Sequence, residues 1–417
     1  VSRLTETAEQ IYRAVLKQIS AQSLVERAVR RLDNLCFIQD EPLNLDHFER
    51  IRIAGAGKAA PAMAAALQTI LPDSDGLVVG QRGKDLGRIR SLTGSHPVPD
   101  QSSLEAGAAM LEFAASCGPG DLVLFCLSGG ASALMEALVS PLELAELRGL
   151  TERLLASGAP ITTVNAVRRQ VSRIKGGRLA AAFNGAHVVV LVVSDVLTND
   201  LSVVGSGPLF ASSPATNDRM SATARAWTLA QAGNLPINVL EALLEPRIPP
   251  PPTRFRHVVL GSPALLTPLA AEAAREAGFE PAPYADFLTG EARQVARKLC
   301  RLAAKSESKR CLIFVGETTV TLRSKSGKGG RCQEMALAAA LKLKGKAAFL
   351  AAGTDGADGP TDAAGAVVDH TTVTSRLQAI EALRTHDSYH YLDKTGTLIR
   401  TGPTDSNLTD LILVLIE

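Results

Sequence analysis

Several glycine turns in this sequence carry a charged side chain beside or within them. That combination suits anion binding, because the turn frees backbone N–H groups and the side chain adds compensating charge. The first turn is Gly55-Ala-Gly57-Lys58-Ala-Ala60. It satisfies the formal G-x-G-x-x-G/A spacing of a dinucleotide turn, but the acid that would hold ribose hydroxyls after the next strand is absent, Gly80 being followed by Gln81-Arg82. An ammonium at a helix start opposes the helix dipole unless an anion lies between them, so Lys58 is read as a phosphate or carboxylate ligand, with a plain surface lysine as the other reading. In Leu127-Ser128-Gly129-Gly130-Ala131-Ser132 the glycines allow a nest for phosphate oxygens assisted by the two hydroxyls, or else a tight strand-to-helix turn. His96, between Ser95 and Pro97, is either a ligand or a structural hydrogen-bonder.

Further along, Arg168, Arg169, Arg173, Lys175 and Arg178 surround Gly176-Gly177, a cation cluster that could meet an anion or form a solvated helix face. Asp195 follows the most apolar run and should stand at the carboxyl edge of a sheet. In the second half, Gly316-Glu317-Thr318 ends a strand, and Gly327-Lys328-Gly329-Gly330-Arg331 opens a helix with a guanidinium able to fork onto phosphate or carboxylate. The loop from Gly353 to Asp362 holds Asp355, Asp358 and Asp362 among three glycines, a set suited to Mg²⁺ or to a metal-free Asp/Gly turn. No P-loop, G-x-S-x-G elbow or H-E-x-x-H helix occurs, and His386 and His390 lack a third ligand nearby.

Positioning these turns requires strands that end at a common edge. Runs at 51–55, 76–80, 122–127 and 188–193 are short and apolar enough to be strands buried on both faces. They alternate with helical patterns over 58–71, 102–116, 142–157 and 169–183, which predicts an α/β domain with a largely parallel sheet. The second half repeats that class, with strands at 257–260, 311–315, 319–322, 347–351 and 411–416 and helices near 263–277, 291–305 and 331–343. Four consecutive prolines make 246–252 a stiff linker between domains at 1–245 and 253–417.

With 417 residues, 46% hydrophobic and 21% charged, the chain can bury a large core, and wholesale disorder is excluded. A net charge of +2 and 4% aromatic content supply neither the field nor the stacking surface for nucleic acid, so a small polar partner is expected. The six cysteines form no C-x-x-C pair and read as buried reduced thiols. With no long apolar run or signal-like start, a soluble cytoplasmic protein without membrane partners is expected, and a homodimer is left open.

Taken together, the motifs resemble those of the bacterial-type glycerate kinases, whose C-terminal half is the MOFRL domain. The match runs through Gly57-Lys58-Ala-Ala60, His96-Pro-Val-Pro-Asp100, Leu127-Ser-Gly-Gly130, Val167-Arg168 to Lys175-Gly-Gly-Arg178, Ser194-Asp-Val196, Ser206-Gly-Pro208, Gly316-Glu-Thr318, Gly329-Gly-Arg331, Gly353-Thr-Asp-Gly356, Asp358 to Gly365 and Thr401-Gly-Pro-Thr404. Ala131 and Cys332 depart from the family's usual S-G-G-G-S and G-G-R-N-Q-E. The resemblance implies two α/β domains with largely parallel or mixed sheets, the N-terminal one Rossmann-like, and an active site in the interdomain cleft. It also implies ATP- and Mg²⁺-dependent phosphorylation of D-glycerate, commonly at the 2-hydroxyl. Lys58 and Arg331 take the family's active-site lysine and arginine positions, and Asp195 is the candidate for orienting or deprotonating the hydroxyl. Gly55, Gly57, Ser128, Gly129, Gly130, Ser132, Lys175, Gly176 and Gly177 are the expected nucleotide and phosphate contacts, His96, Arg168 and Glu317 the substrate contacts, and Asp355 and Asp358 the metal ligands. An NAD(P)H-dependent hydroxypyruvate reductase and a non-catalytic phospho-ligand binder are the alternatives.

Overall fold

Six apolar residues in a row at Val188–Val193 and a similar run before Ser128 cannot face water on either side, and both become inner strands of a parallel sheet. The computed structural model describes residues 2–197, 200–210, 214–245, 255–322 and 327–417, so the linker expected at 246–252 lies outside the described residues. A short antiparallel meander of β1 (Val29–Leu32), β2 (Leu35–Ile38) and β3 (Glu41–Asn44) precedes the main sheet. That sheet contains β4 (Arg50–Ala56), β5 (Asp75–Gly80), β6 (Ile89–Thr93), β7 (Asp121–Ser128), β8 (His187–Val193) and β9 (Arg256–Gly261), in the order β6-β5-β4-β7-β8-β9. From β6 to β8 every neighbouring pair is parallel. The chain leaves β4 toward β5 on one side and later returns to β7 on the other, so the strand order reverses between β4 and β7. A crevice opens outside the carboxyl ends of strands at such a point.

The second sheet is mixed. Its strands are β10 (Glu280–Pro283), β11 (Arg310–Gly316), β12 (Ala347–Gly353), β13 (Gly365–Asp369), β14 (Leu398–Ile399) and β15 (Asp410–Ile416), ordered β10-β11-β15-β12-β13-β14. Among its described strand pairs only β10 and β11 run parallel, and β15 is inserted antiparallel between β11 and β12. The helices Ala292–Ala303 and Arg331–Ala340 bury Val295, Leu299, Met335 and Leu337 in its core beside Phe314, Phe349 and Val414. The class expected from the sequence, two α/β domains with largely parallel or mixed sheets, is what the chain adopts.

Contacts divide the chain into two compact units, one of Val1–Leu24, Asp195–Thr198 and Gly261–Glu417, the other of Val25–Ser194 and Asn199–Leu260. This is not a single cut at the prolines. The helix Arg3–Gln18 joins the C-terminal unit because its buried stripe of Ala8, Ile11, Tyr12 and Val15 packs there, and Tyr12 donates its hydroxyl to Gly353 O at 2.6 Å. Conversely, 257–260, expected in the second domain, belongs to β9 and extends the first sheet beyond β8. Two other expectations fail locally. The helix predicted over 169–183 is instead Ile161–Gln170, followed by a turn at Gly176-Gly177 and a short 3-10 segment Ala180–Phe183. The strand predicted over 319–322 is reduced to one bridge, Thr319 to Glu291.

Candidate active site

At the reversal point, register sets Ala56 of β4 beside Leu127 of β7, so the two glycine turns leave the sheet side by side. They are stitched together: Lys58 N donates to Gly129 O at 2.9 Å, and Ala59 N donates to Ser128 Oγ at 3.0 Å. Gly57 has φ +135°, and a Cβ there would meet Ser128 O at 2.6 Å, so no side chain fits the junction. Gly130 has φ +86°, and a Cβ there would stand 3.1 Å from Lys58 Cγ and 3.4 Å from His96 Cδ2. Gly130 is therefore the point on which Lys58 and His96 converge. Both side chains are half-buried. The helix Ala60–Ile70 starts directly after this turn with no side-chain cap, but its first N–H groups are taken locally: Ala60 N donates to Gly57 O, Ala62 N and Met63 N donate to Ala59 O, and Pro61 has none.

Other expected phosphate contacts are placed elsewhere. Gly55 lies inside β4, not in the turn, and its missing side chain lets Cys126 of β7 approach. The Ser128 hydroxyl is buried in the stitch to Ala59. Ser132 Oγ pairs with Ser206 Oγ at 2.9 Å. The backbone N–H groups of Gly176 and Gly177 donate to Ser206 O and Gly207 O, at 3.0 and 2.7 Å. Lys175 is fully buried, and its ammonium is ion-paired with Glu136, whose other oxygen accepts from Ser172 Oγ at 2.5 Å. Burial pulls the Lys175 pKa down to about 8 against the opposing charge of Glu136. This pair is a closed internal contact, which a phosphate could reach only by breaking it. Arg168 donates Nη2 to Ser132 O at 3.1 Å, while its Nε is buried without a hydrogen-bond partner. Burial also lowers its pKa, opposed by Glu136.

In the C-terminal unit the carboxyl ends of β11 and β12 flank the amino end of β15, with Asp410 in register with both Gly316 and Gly353. Glu317 and Asp355 follow those two strands. Arg331, first residue of its helix, donates Nε and Nη2 to Asp410 at 2.6 and 2.9 Å, and its Nη1 lies 2.7 Å from Glu317 Oε1. Burial disfavours the charged guanidinium, but the hydrogen bonds and charge of Asp410 outweigh it and raise its pKa. The helix-start argument for an external anion is thus answered from within, because the Asp358 carboxylate accepts from Cys332 N at 3.1 Å and Gln333 N at 2.8 Å. Asp358 is buried, and burial pushes its pKa up to about 7 against those hydrogen bonds. It caps the helix and leaves no oxygen turned outward for a metal. Asp355 is half-buried, with Oδ1 accepting from Ala357 N at 3.2 Å. Among the described residues, no group of three His, Cys, Asp or Glu side chains is gathered for a metal. Asp195 lies just beyond β8 and accepts from Asn407 Nδ2 at 3.3 Å.

Two residues at these sites carry no motif. Glu136 and Asp410 each show only one signal, a lone acid within or directly before an apolar run, where an unpaired charge would be untenable.

A parallel sheet with a glycine-lined crevice at its order reversal, and a mixed sheet whose edge gathers an arginine and carboxylates, define a two-unit α/β protein equipped for anionic small molecules. The chain belongs to the family described as "Domain of unknown function (DUF4147)", matched over residues 7–243, and carries a MOFRL family region over 310–410. The resemblance to glycerate kinases with a C-terminal MOFRL domain is thereby borne out. A D-glycerate 2-kinase of Thermotoga maritima is 37% identical over 396 residues, covering 90% of this chain and 92% of that protein. A protein of Agrobacterium vitis with a provisional hydroxypyruvate reductase name is 36% identical over 387 residues, 88% of this chain and 87% of its own. A crystal structure of glycerate kinase from Thermotoga maritima superposes with a TM-score of 0.84 at 32% identity, covering 99% of each chain. No helix among the described residues is long and apolar enough to cross a membrane.

Proposed function

We infer that this protein transfers the γ-phosphoryl group of ATP to the 2-hydroxyl of D-glycerate, giving 2-phosphoglycerate and ADP. The observation that carries this reading is the convergence of Lys58 and His96 on Gly130 at the sheet's reversal point, in a chain that covers nine-tenths of a D-glycerate 2-kinase. In the transfer, the hydroxyl oxygen bonds to the γ-phosphorus, the bond to the bridging oxygen of ADP breaks with its electron pair going to ADP, and the hydroxyl proton passes to Asp195 or to water. Little covalent help is needed; the protein must neutralise charge and align the oxygens.

Lys58 is assigned to the phosphoryl oxygens, at the positive end of the helix Ala60–Ile70. His96 beside it is assigned to glycerate. Arg331 is the second cation, and its Nη1 edge is the one that can reach an anion. Asp195 is kept as the group that orients or deprotonates the hydroxyl. Arg168 is reassigned from substrate contact to holding the Ser132 carbonyl, and Lys175 to the buried pair. For Mg²⁺, which needs only one or two carboxylates besides phosphate oxygens and waters, Asp355 fits and Asp358 does not. The ion would neutralise phosphate charge.

The test is a coupled assay. Enolase, pyruvate kinase and lactate dehydrogenase should suffice to couple product formation from ATP and D-glycerate. A strict need for added phosphoglycerate mutase would mean phosphorylation at the 3-hydroxyl. Oxidation of NADH by hydroxypyruvate without ATP would move the protein to the reductase reading.

A further inference from the structure

Arg331 has two carboxylate partners of opposite character. The Asp410 side chain is 3% exposed and takes two guanidinium nitrogens, whereas the Glu317 side chain is 51% exposed and takes one. One guanidinium with two carboxylates carries a net charge of about −1, which repels an anionic reactant. An anion can therefore bind Arg331 well only if one carboxylate withdraws. Asp410 cannot withdraw. It begins β15, it is in register with Gly316 on one side and Gly353 on the other, and losing Arg331 would strand a buried charge. Glu317 can. It is the first residue beyond β11, half its side chain is already in solvent, and exchanging an exposed carboxylate for another anion costs little.

We propose that Asp410 is a positioning residue that clamps the Arg331 guanidinium through Nε and Nη2, and that Glu317 is a placeholder whose carboxylate occupies the Nη1 edge until the anionic reactant displaces it. This rests on the assignment of Arg331 to the anionic reactants. It deepens that assignment by stating which edge binds, what must leave first, and why the guanidinium keeps its orientation when it does. The clamp uses both oxygens of Asp410 on adjacent nitrogens, so it fixes the plane of the guanidinium, which a single contact would not.

The test uses the full chain with inorganic phosphate as a dead-end competitor of the phosphoryl position, alongside steady-state kinetics. Glu317→Gln removes the competing charge, so the Ki of phosphate or the KM of an anionic substrate should fall roughly two- to five-fold, the range set by one exposed ion pair. Asp410→Asn loosens the clamp and should lower kcat by about 10- to 100-fold, the usual cost of misplacing a catalytic group by about an ångström. In an Arg331→Lys background, the same Asp410→Asn change should add less than about two-fold, because groups acting as one unit are non-additive. A purely architectural Asp410 would multiply the two losses instead. Should Asp410→Asn fold poorly, Asp410→Glu keeps the charge, shifts the guanidinium, and should still lower kcat.

Unchanged or weaker anion binding in Glu317→Gln overturns the placeholder. Wild-type kcat in both Asp410 variants, with Arg331→Lys impaired, overturns the clamp alone. Wild-type turnover in Arg331→Lys would instead remove the assignment of Arg331 on which the proposal stands.

Discussion

Lys58 and Lys175 are the same residue type beside glycines, yet Lys58 is half-buried and Lys175 is closed inside the fold. Lys175 is sealed with Glu136 in the interior, where removing one partner leaves an uncompensated buried charge. Lys175→Met should therefore cost about 3–5 kcal/mol, read by urea unfolding, whereas adding Glu136→Leu should recover much of it. A single variant as stable as wild type would mean that water reaches the pair. Lys58, at the crevice, should behave the other way, with Lys58→Ala lowering kcat by ~10³-fold or more while the thermal midpoint barely moves. The natural counterpart, Arg331→Ala, is a poorer probe than its position beside a glycine turn suggests. It would orphan Asp410, so Arg331→Lys is preferred.

At the scale of elements, the two glycine turns act as one piece because β4 and β7 are neighbours in register, and Gly130 is where that piece touches its side chains. Gly130→Ala places a methyl against Lys58 Cγ and His96 Cδ2 in a left-handed conformation. We expect kcat/KM to fall at least ~10-fold, on the same misplacement argument, and stability to fall by ~1–2 kcal/mol. Gly158→Ala is the control. Its φ of +63° imposes similar strain, but nothing lies within 4 Å of the added carbon, so activity should persist despite the stability loss. Equal activity in the two variants would remove Gly130 from the site. Much of this scale was legible: the core strands, the turns after β4 and β7, and the helix after Gly330 follow from apolar runs ended by glycines. The end of Ile161–Gln170 was not. Its cations continue a helical pattern to Arg178, whereas the glycine pair and the burial of Lys175 break it.

For the whole molecule, all six cysteines are free and buried. Burial favours the neutral thiol, pushing Cys300 up to about 11 and Cys311 up to about 12, and raising Cys126 further. At pH 8 the native protein should thus react negligibly with a thiol-specific chromogenic disulfide, and all six should titrate once it is denatured. A fast-reacting thiol in the native state would show that a buried segment opens readily. Turnover should also stop on chelation and return with Mg²⁺. Phosphorylation that continues in excess EDTA would remove the assignment of Asp355.

The sequence alone determined the α/β class, the glycine turns and their order, and through them the resemblance to glycerate kinases. Those features are local, since a buried strand needs a continuous apolar run and a glycine-tight turn needs glycines wherever the chain goes next. Tertiary structure decided which charges are available and which are consumed. Lys175 is paired with Glu136, Asp358 caps the helix of Arg331, and Asp410 grips Arg331 from 79 residues away. The same holds for membership of the two units, where the first helix joins the last strands and β9 closes the first sheet. Ion pairing and sheet-edge pairing depend on distance in space, and the residue type that advertises a binding site is also the one that satisfies a buried partner.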